Sequence, residues 1–337
     1  MSRSAHTKRE REILKQYAVP AEMEAVAIDK FGPPSVLTRR TVPVPRPGPR
    51  EVLIAVHAAG VGIWDAKIRD GSWAEDDVSF PLVLGTDGAG TIAEIGTSVR
   101  RFQHGDQVWG YEYDSPKGGF YAEYVVVDMD HVGPLPAGLA MLQGGAAAVT
   151  GLTALQGIDD HLEVRAGETV LIFGASGAVG TLAVQFAARH RRASVIAIAS
   201  GRDAAVLLEK LGAVAVVDGR KRDALDRIKE AAPGGLDAIF ALAGSPVLDA
   251  SVGLVGRGGR VAYPNGVEPE PKKKAGVRVI SYDAEVSPMA FAKLGRVAEA
   301  IRLVVPIAET YPLAQAAKAH ARVERGHVVG RIVLKVR

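Results

Sequence analysis

Residues 168 to 188 read ETVLIFGASGAVGTLAVQFAA, and this stretch narrows the choice of fold more than any other in the chain. Thr169 to Phe173 is a short β-branched and aromatic run, Gly174 to Gly180 is small and glycine-rich, and Thr181 onward has the leucine, alanine and glutamine content of a helix. The pattern predicts strand, tight loop, helix. Such a loop leaves the first N–H groups of the helix unpaired, with the positive end of the helix dipole behind them, a setting that suits a bound phosphate. Gly177 and Gly180 stand where the second and third glycines of the dinucleotide fingerprint belong, one for close approach of a pyrophosphate and one for packing helix on sheet. Ala175 replaces the first glycine, so the fingerprint is degenerate.

Two other readings compete for these residues. Thr169 to Ala188 is about as long and apolar as a membrane span, and Arg189, His190, Arg191 and Arg192 follow it like a positive flank. Three glycines and a serine at its centre fit a turn better, and no second span partners it. The remaining alternative is a glycine-rich turn that binds nothing.

Composition bounds the function. A chain of 337 residues is long enough for two domains, each with its own core, and 47% hydrophobic against 23% charged residues is the balance of a soluble globular protein. Net charge is only +3, so the basic clusters at Arg220 to Arg222 and Lys272 to Lys274 read as solvated loops and no nucleic-acid partner is expected. With no cysteine, disulfides, thiolate chemistry and cysteine-ligated zinc are excluded. The polar opening MSRSAHTKRERE has no apolar core of a signal peptide, which points to the cytoplasm.

Residues 1 to 20 read as a charged prefix with a short surface helix. From Met23 to about Gly145 the texture is all-β: EAVAIDKFG, EVLIAVHAAGVG, AGTIAEIG, DQVWGY and FYAEYVVVD, with Pro43, Pro45, Pro47 and Pro49 marking an edge or extended connection. From Thr150 strand and helix alternate. Val195 to Ala199, Ala213 to Asp218, Leu236 to Ala243 and Gly259 to Tyr263 are predicted strands, with helices over Ala204 to Leu211 and Asp223 to Ala231. Repeated βα units of this size specify a doubly wound parallel sheet. The tail from Met289 is read as one or two helices and a final strand, Arg331 to Val336.

The end of the second strand of such a sheet selects the cofactor, an acidic residue favouring NAD and a nearby arginine favouring NADP. Here it reads Ile198, Ala199, Ser200, Gly201, Arg202, with the first carboxylate, Asp203, only after the arginine. A hydroxyl and a guanidinium suit a phosphomonoester, so NADPH is expected. The competing reading is that Ser200 and Arg202 only cap and solvate the next helix.

The chain resembles the zinc-independent, quinone oxidoreductase-like branch of the medium-chain dehydrogenase/reductase family. The likeness covers Met23 to Arg337 and rests on AAGVGIWDAKIRDG (58 to 71), PLVLGTDGAGTIAEIGTSVRRFQHGDQVWG (81 to 110), GGFYAEYVVV (118 to 127), TGLTALQGI (150 to 158), the GASGAVG loop and GHVVGRIVLKV (326 to 336). It implies an α/β chain with a GroES-like β-domain plus a Rossmann doubly wound parallel sheet, and an active site in the cleft between them. The domains expected are an extension over 1–22, a GroES-like substrate domain over 23–149 completed by 289–337, and a Rossmann NADP-binding domain over 150–288. Where zinc-dependent members place a cysteine, a histidine and a glutamate, this chain has Gly62, Thr86 and Asp87, so no metal ligand set is expected. Without a metal to stabilise an alkoxide, alcohol oxidation is disfavoured. Quinone-reductase relatives usually carry asparagine at Gly62. After the third strand Asp218 and Gly219 stand where NADPH-binding relatives often have tyrosine or lysine.

A metal-free cleft holding NADPH can pass hydride to a quinone or an α,β-unsaturated carbonyl, with hydrogen-bond donors needed where charge gathers on oxygen. Trp64, Lys67, Trp73 and Tyr113 are candidate pocket residues, with Tyr111 and Lys117 beside them; core packing is the alternative for the aromatics. Asp65 is read as orienting its loop, Asp87 as a buried, hydrogen-bonded carboxylate, and His57 and His131 as strand-end histidines. On the cofactor side stand Thr150, with Thr153, read as beginning the helix that enters the Rossmann domain, a segment relatives use beside the nicotinamide or its ribose, with helix capping as the alternative; Ser176, Gly177, Ala178 and Val179 of the loop; and Ser200 and Arg202. Leu242, Ala243, Tyr263, Pro264 and Asn265 at strand ends complete the set. Relatives commonly form homodimers through the Rossmann domain. The alternative function is an NADPH-binding protein with little catalysis, serving a regulatory or structural role.

Overall fold

The structure, a computed structural model, describes residues 19–73, 78–113 and 115–337; the helix read in the charged prefix lies outside them. The chain first forms β1 (Glu22–Ile28), β2 (Thr38–Pro43) and the long β3 (Glu51–Val61). Helix α1 (Ile63–Asp70) follows, then β4 (Leu82–Val83), β5 (Asp87–Ile95), β6 (Gln107–Tyr111), β7 (Tyr124–Asp128) and β8 (Val132–Pro134). β1 lies between β2 and β4 in a small antiparallel sheet, with proline-bearing β2 on its edge as expected. β3 is the spine of the main sheet. β5 runs antiparallel along one side of it, while the other side is shared: Glu51 to Ala55 pair with β7, and Ala58 to Val61 pair with the last strand of the chain.

Helix α2 (Met141–Gln156) leads into the second unit, made of β9 (Thr169–Phe173), α3 (Ala178–Gln185), β10 (Ser194–Ile198), α4 (Arg202–Leu211) and β11 (Ala215–Val217). It continues through α5 (Ala224–Ala231), β12 (Leu236–Ala241), α6 (Pro246–Val252), β13 (Val255–Pro264) and β14 (Arg278–Tyr282). The six strands are parallel, in the order β11-β10-β9-β12-β13-β14, so the winding reverses between β9 and β12. Val170, Leu171 and Ile172 of β9 are fully buried because helices cover both faces of the sheet. The stretch that could have read as a membrane span is strand, loop and helix, and no described helix is long and apolar enough to cross a membrane.

The chain then returns through α7 (Pro288–Ala300), β15 (Ile307–Pro312), α8 (Ala316–Glu324) and β16 (Arg331–Lys335), which joins the first unit beside β3.

Several expectations need correction. α2 begins at Met141, so Thr150 and Thr153 sit inside it rather than beginning or capping it; their hydroxyls donate back to the carbonyls of Ala146 and Val149, at 2.9 Å each. β12 stops at Ala241, two residues short of Ala243, and β13 begins at Val255, before Gly259. β14 and β15 were not read as strands. β14 is an edge strand whose only fully buried residue is Tyr282, and β15 has no buried residue at all, so neither carries a hydrophobic run. His57 lies in the middle of β3, not at a strand end.

Candidate active site

A cavity of about 940 Å³ opens between the two units, at the C-terminal ends of the parallel strands where the winding reverses. Its floor on one side is the glycine-rich loop. Gly180 has no room for a side chain, since a Cβ there would sit 2.3 Å from the carbonyl oxygen of Gly174; the helix therefore packs at backbone distance on the start of the loop that leaves β9. At Gly177 the nearest atom to such a Cβ is 3.5 Å away, so the loop's outer face is open. Thr181 is the first residue here whose N–H reaches a helical carbonyl, that of Gly177, which leaves the N–H groups of Ala178, Val179 and Gly180 outside the helical ladder. Open loop, free donors and helix N-terminus fit a dinucleotide pyrophosphate.

Of the residues expected on the cofactor side, Gly177, Ala178, Val179, Leu242, Ala243, Pro264 and Asn265 line the cavity. Ser176, Tyr263 and Thr150 do not. Ser176 turns its carbonyl to the N–H of Gly330 at 2.8 Å, and Tyr263 is buried in the core of the sheet. Thr150 is fully buried within α2, one turn before Thr153, which does reach the wall. Ser200 and Arg202 lie off the cavity, at the end of β10, but the carbonyl of Ile198 accepts the N–H of Ala175 at 3.1 Å, so this corner borders the loop. The N-cap of α4 is Gly201, and no side chain caps it, so capping does not account for Ser200 and Arg202. Nearby, Arg220 grips the Asp218 carboxylate at 3.1 and 3.2 Å, and that hydrogen bond holds the acid below its usual range.

The opposite wall comes from the first unit. Trp64, Lys67, Trp73 and Tyr113 all reach the cavity. Gly62 donates its N–H to Asp65 at 2.7 Å, and the other Asp65 oxygen accepts from the Thr86 N–H and hydroxyl at 3.2 Å, so Asp65 orients its loop as expected. Burial pushes Asp65 up to about 7, against the pull of Arg331. The Trp64 indole occupies the room a side chain at 62 would need: a Cβ on Gly62 would lie 2.4 to 2.6 Å from its ring. Its N–H donates to the Thr86 hydroxyl at 2.7 Å, and the Arg331 guanidinium stands 4.5 Å over the ring while donating to Asp87 at 2.7 Å. Asp87 and Arg331 are both buried, and burial raises Asp87 against that guanidinium.

At the three positions where zinc-dependent relatives place ligands there is thus a glycine under an indole, a threonine in a hydrogen-bond chain and an aspartate in an ion pair. Among the described residues no group of three or more His, Asp or Glu could hold a metal ion. At the mouth, Trp73 crosses from the first unit to lie against Gly266 of the second, with the Lys67 ammonium 4.3 Å from its ring centre and its carbonyl accepting from Tyr113 at 3.0 Å. Lys117 is elsewhere, paired with Glu51, and His131 faces Glu112 at 3.4 Å. Arg331 and Tyr282 were missed as wall residues. Arg331 lies 244 positions after Asp87, a closure no local pattern announces, and Tyr282 belongs to the unread β14.

Comparison with known proteins agrees with this architecture. Residues 48–137 match the profile of the alcohol dehydrogenase GroES-like domain, and residues 211–334 match that of the zinc-binding dehydrogenases. The chain is 32% identical to a mouse quinone oxidoreductase over 327 residues, covering 93% of this chain and 97% of that protein. A quinone oxidoreductase structure from Coxiella burnetii superposes with a TM-score of 0.81 at 31% identity, covering 94% of this chain and all of that one. A mycobacterial protein solved with NADPH is 26% identical, with a TM-score of 0.81 and coverage of 93% and 100%. The chain is an oxidoreductase of the medium-chain dehydrogenase/reductase family and belongs to its quinone oxidoreductase-like branch.

Proposed function

We propose that this protein is a zinc-independent, NADPH-dependent reductase that transfers hydride to a quinone or an α,β-unsaturated carbonyl, working in the cytoplasm as a homodimer. One observation carries the reading: a single cavity joins the open glycine loop to an aromatic wall in which Gly62, Thr86 and Asp87 are committed to Trp64, Asp65 and Arg331. Bound reduced nicotinamide supplies the hydride. Residues 177–180 receive the pyrophosphate, and the backbone of Leu242, Ala243, Pro264 and Asn265 borders the nicotinamide end. Trp64, Trp73 and Tyr113 exclude water and favour a flat acceptor. The mycobacterial relative solved with NADPH supports the cofactor, and the names of the relatives weigh against a non-catalytic role. The unit boundaries at 22, 149 and 288 are part of the same proposal. Its support for a dimer is the unpartnered edge β14 of the parallel sheet; light scattering that returned the mass of one chain would remove that element.

Ser200 and Arg202 are assigned to the 2′-phosphate. Losing charge-assisted hydrogen bonds costs about 1.5–3 kcal/mol, so Arg202→Ala is expected to weaken NADPH binding by roughly ten- to a hundredfold and leave NADH binding unchanged. Equal effects on both nucleotides, or none, would refute the assignment. The function itself is tested by nucleotide consumption in chelator-treated protein with a simple quinone and a simple enone, NADPH against NADH. Turnover of either acceptor with NADPH preferred is the expected result; silence with both would sink the reading.

A further inference from the structure

Most polar side chains on the cavity wall have already committed their donors. Trp64 gives its N–H to Thr86, and Tyr113 its hydroxyl to the Trp73 carbonyl. Tyr282 donates to the Thr153 carbonyl at 2.6 Å, and Asn265 gives its amide to Asp283 at 2.7 Å. Tyr111 differs. Among the described residues its hydroxyl makes no hydrogen bond or ion pair, although the side chain lines the cavity and its ring packs against the large core shared by both units. Of the other donors, Lys67 and Trp73 stack on each other at the mouth, and the buried Arg331 guanidinium is held by Asp87 and the Trp64 ring, with its Nε left without a hydrogen bond among the described residues.

Tyr111 is fixed rather than adaptable. It is the last residue of β6 and pairs in register with Asp87, the first residue of β5, whose carboxylate is held by Arg331. A hydroxyl so placed, with no partner among the described residues, is matched to an oxygen of the ligand.

We propose that Tyr111 is a catalytic residue of the hydride transfer inferred above, donating its hydroxyl hydrogen bond to the carbonyl oxygen of the acceptor. The proposal rests on that reading of the cavity. Hydride carries two electrons to the conjugated carbon, the π pair shifts onto the carbonyl oxygen, and water provides the proton that completes reduction of the acceptor, at the expense of the nicotinamide. Tyr111 stabilises the charged oxygen without giving up its proton. Burial and the neighbouring carboxylates Asp87, Asp65 and Asp283 hold that proton well beyond the ordinary phenol range, which suits a donor and not an acid.

The test is Tyr111→Phe, which keeps the packed ring. With a simple enone or quinone, kcat is expected to fall about 10²–10³-fold, the loss typical of one oxyanion donor, with KM and the NADPH dissociation constant within about twofold of wild type. A second measurement needs no turnover: 4-nitrophenolate, a flat anionic phenolate, is titrated into both proteins and followed by its visible band. Wild type should bind it, and the variant at least about tenfold more weakly, the loss of one charge-assisted bond. Equal phenolate affinity in the two proteins, no binding to wild type, or an unchanged kcat overturns the role of Tyr111. If wild type is inert toward both acceptors while phenolate binding still depends on Tyr111, the donor stands and the hydride-transfer reading falls.

Discussion

Gly62 and Trp64 form a matched pair, and their fit can be measured one residue at a time. The indole fills the volume above the Gly62 Cα, is pinned by its bond to Thr86 and is covered by Arg331, so it cannot swing aside without breaking both contacts. Gly62→Asn is therefore expected to destabilise the protein by about 1–3 kcal/mol, the usual cost of overpacking. In a Trp64→Ala background the same asparagine should cost less, giving a coupling term in a double-mutant cycle of denaturant unfolding. Strict additivity would show that the two residues do not share the space. A related cost attaches to Arg331: Arg331→Met leaves Asp87 buried and uncompensated, about 3–5 kcal/mol, and adding Asp87→Asn should recover part of it.

Helix α8 is tied to α1 and to the first unit by a buried histidine. His320 Nδ1 lies 3.3 Å from Arg69 and its Nε2 lies 3.0 Å from the Tyr121 hydroxyl, while Arg69 also pairs with Glu324 at 2.6 Å. Burial, helped by the Arg69 charge, pulls His320 down to about 3 from 6.5. The unfolded chain therefore binds a proton that the folded one refuses, so stability falls as pH drops below about 6.5 and levels off near 3, by at most a few kcal/mol. His320→Gln should flatten that part of the stability–pH curve; an unchanged slope would place the acid sensitivity elsewhere. This interface also marks a limit of sequence reading. β9, the glycine loop and α3 were legible because a continuous apolar run, small residues and a helix follow one another locally. β14 and β15 were not, because edge and half-covered strands need few apolar residues. Of the site, Trp64, Lys67, Trp73 and Tyr113 were found through the family motif that carries them or their chemistry. The partners of His320 and Arg331 were out of reach, since each contact closes a loop of about two hundred residues or more.

Taken whole, the two units are fastened together well beyond the site. One core cluster runs from Ala58, Ala89 and Trp109 of the first unit through α2 to Val170 and Ile172 of β9. Gln156 brackets the backbone of Glu285 with two bonds of 2.8 Å, and Gln185 does the same for Val304 at 2.7 and 2.9 Å, so both segments leading out of the parallel sheet are clamped to its helices. Gly330, just before β16, reaches Ser176 of the glycine-rich loop. A shared core of this kind makes independent unfolding of one unit costly, because it would expose the apolar surface of the other. The expected thermal transition is single, with far-UV and near-UV signals coincident. The proposed cofactor, NADPH, at about a hundred times its dissociation constant would add about 2.7 kcal/mol and is expected to move the whole transition upward. Two transitions, of which only one responds to the nucleotide, would show that the shared core does not couple the units. In that case the cavity between them would be a place where two independently stable bodies meet, and the fixed positions of Tyr111 and Trp64 relative to the strand ends would lose their structural basis.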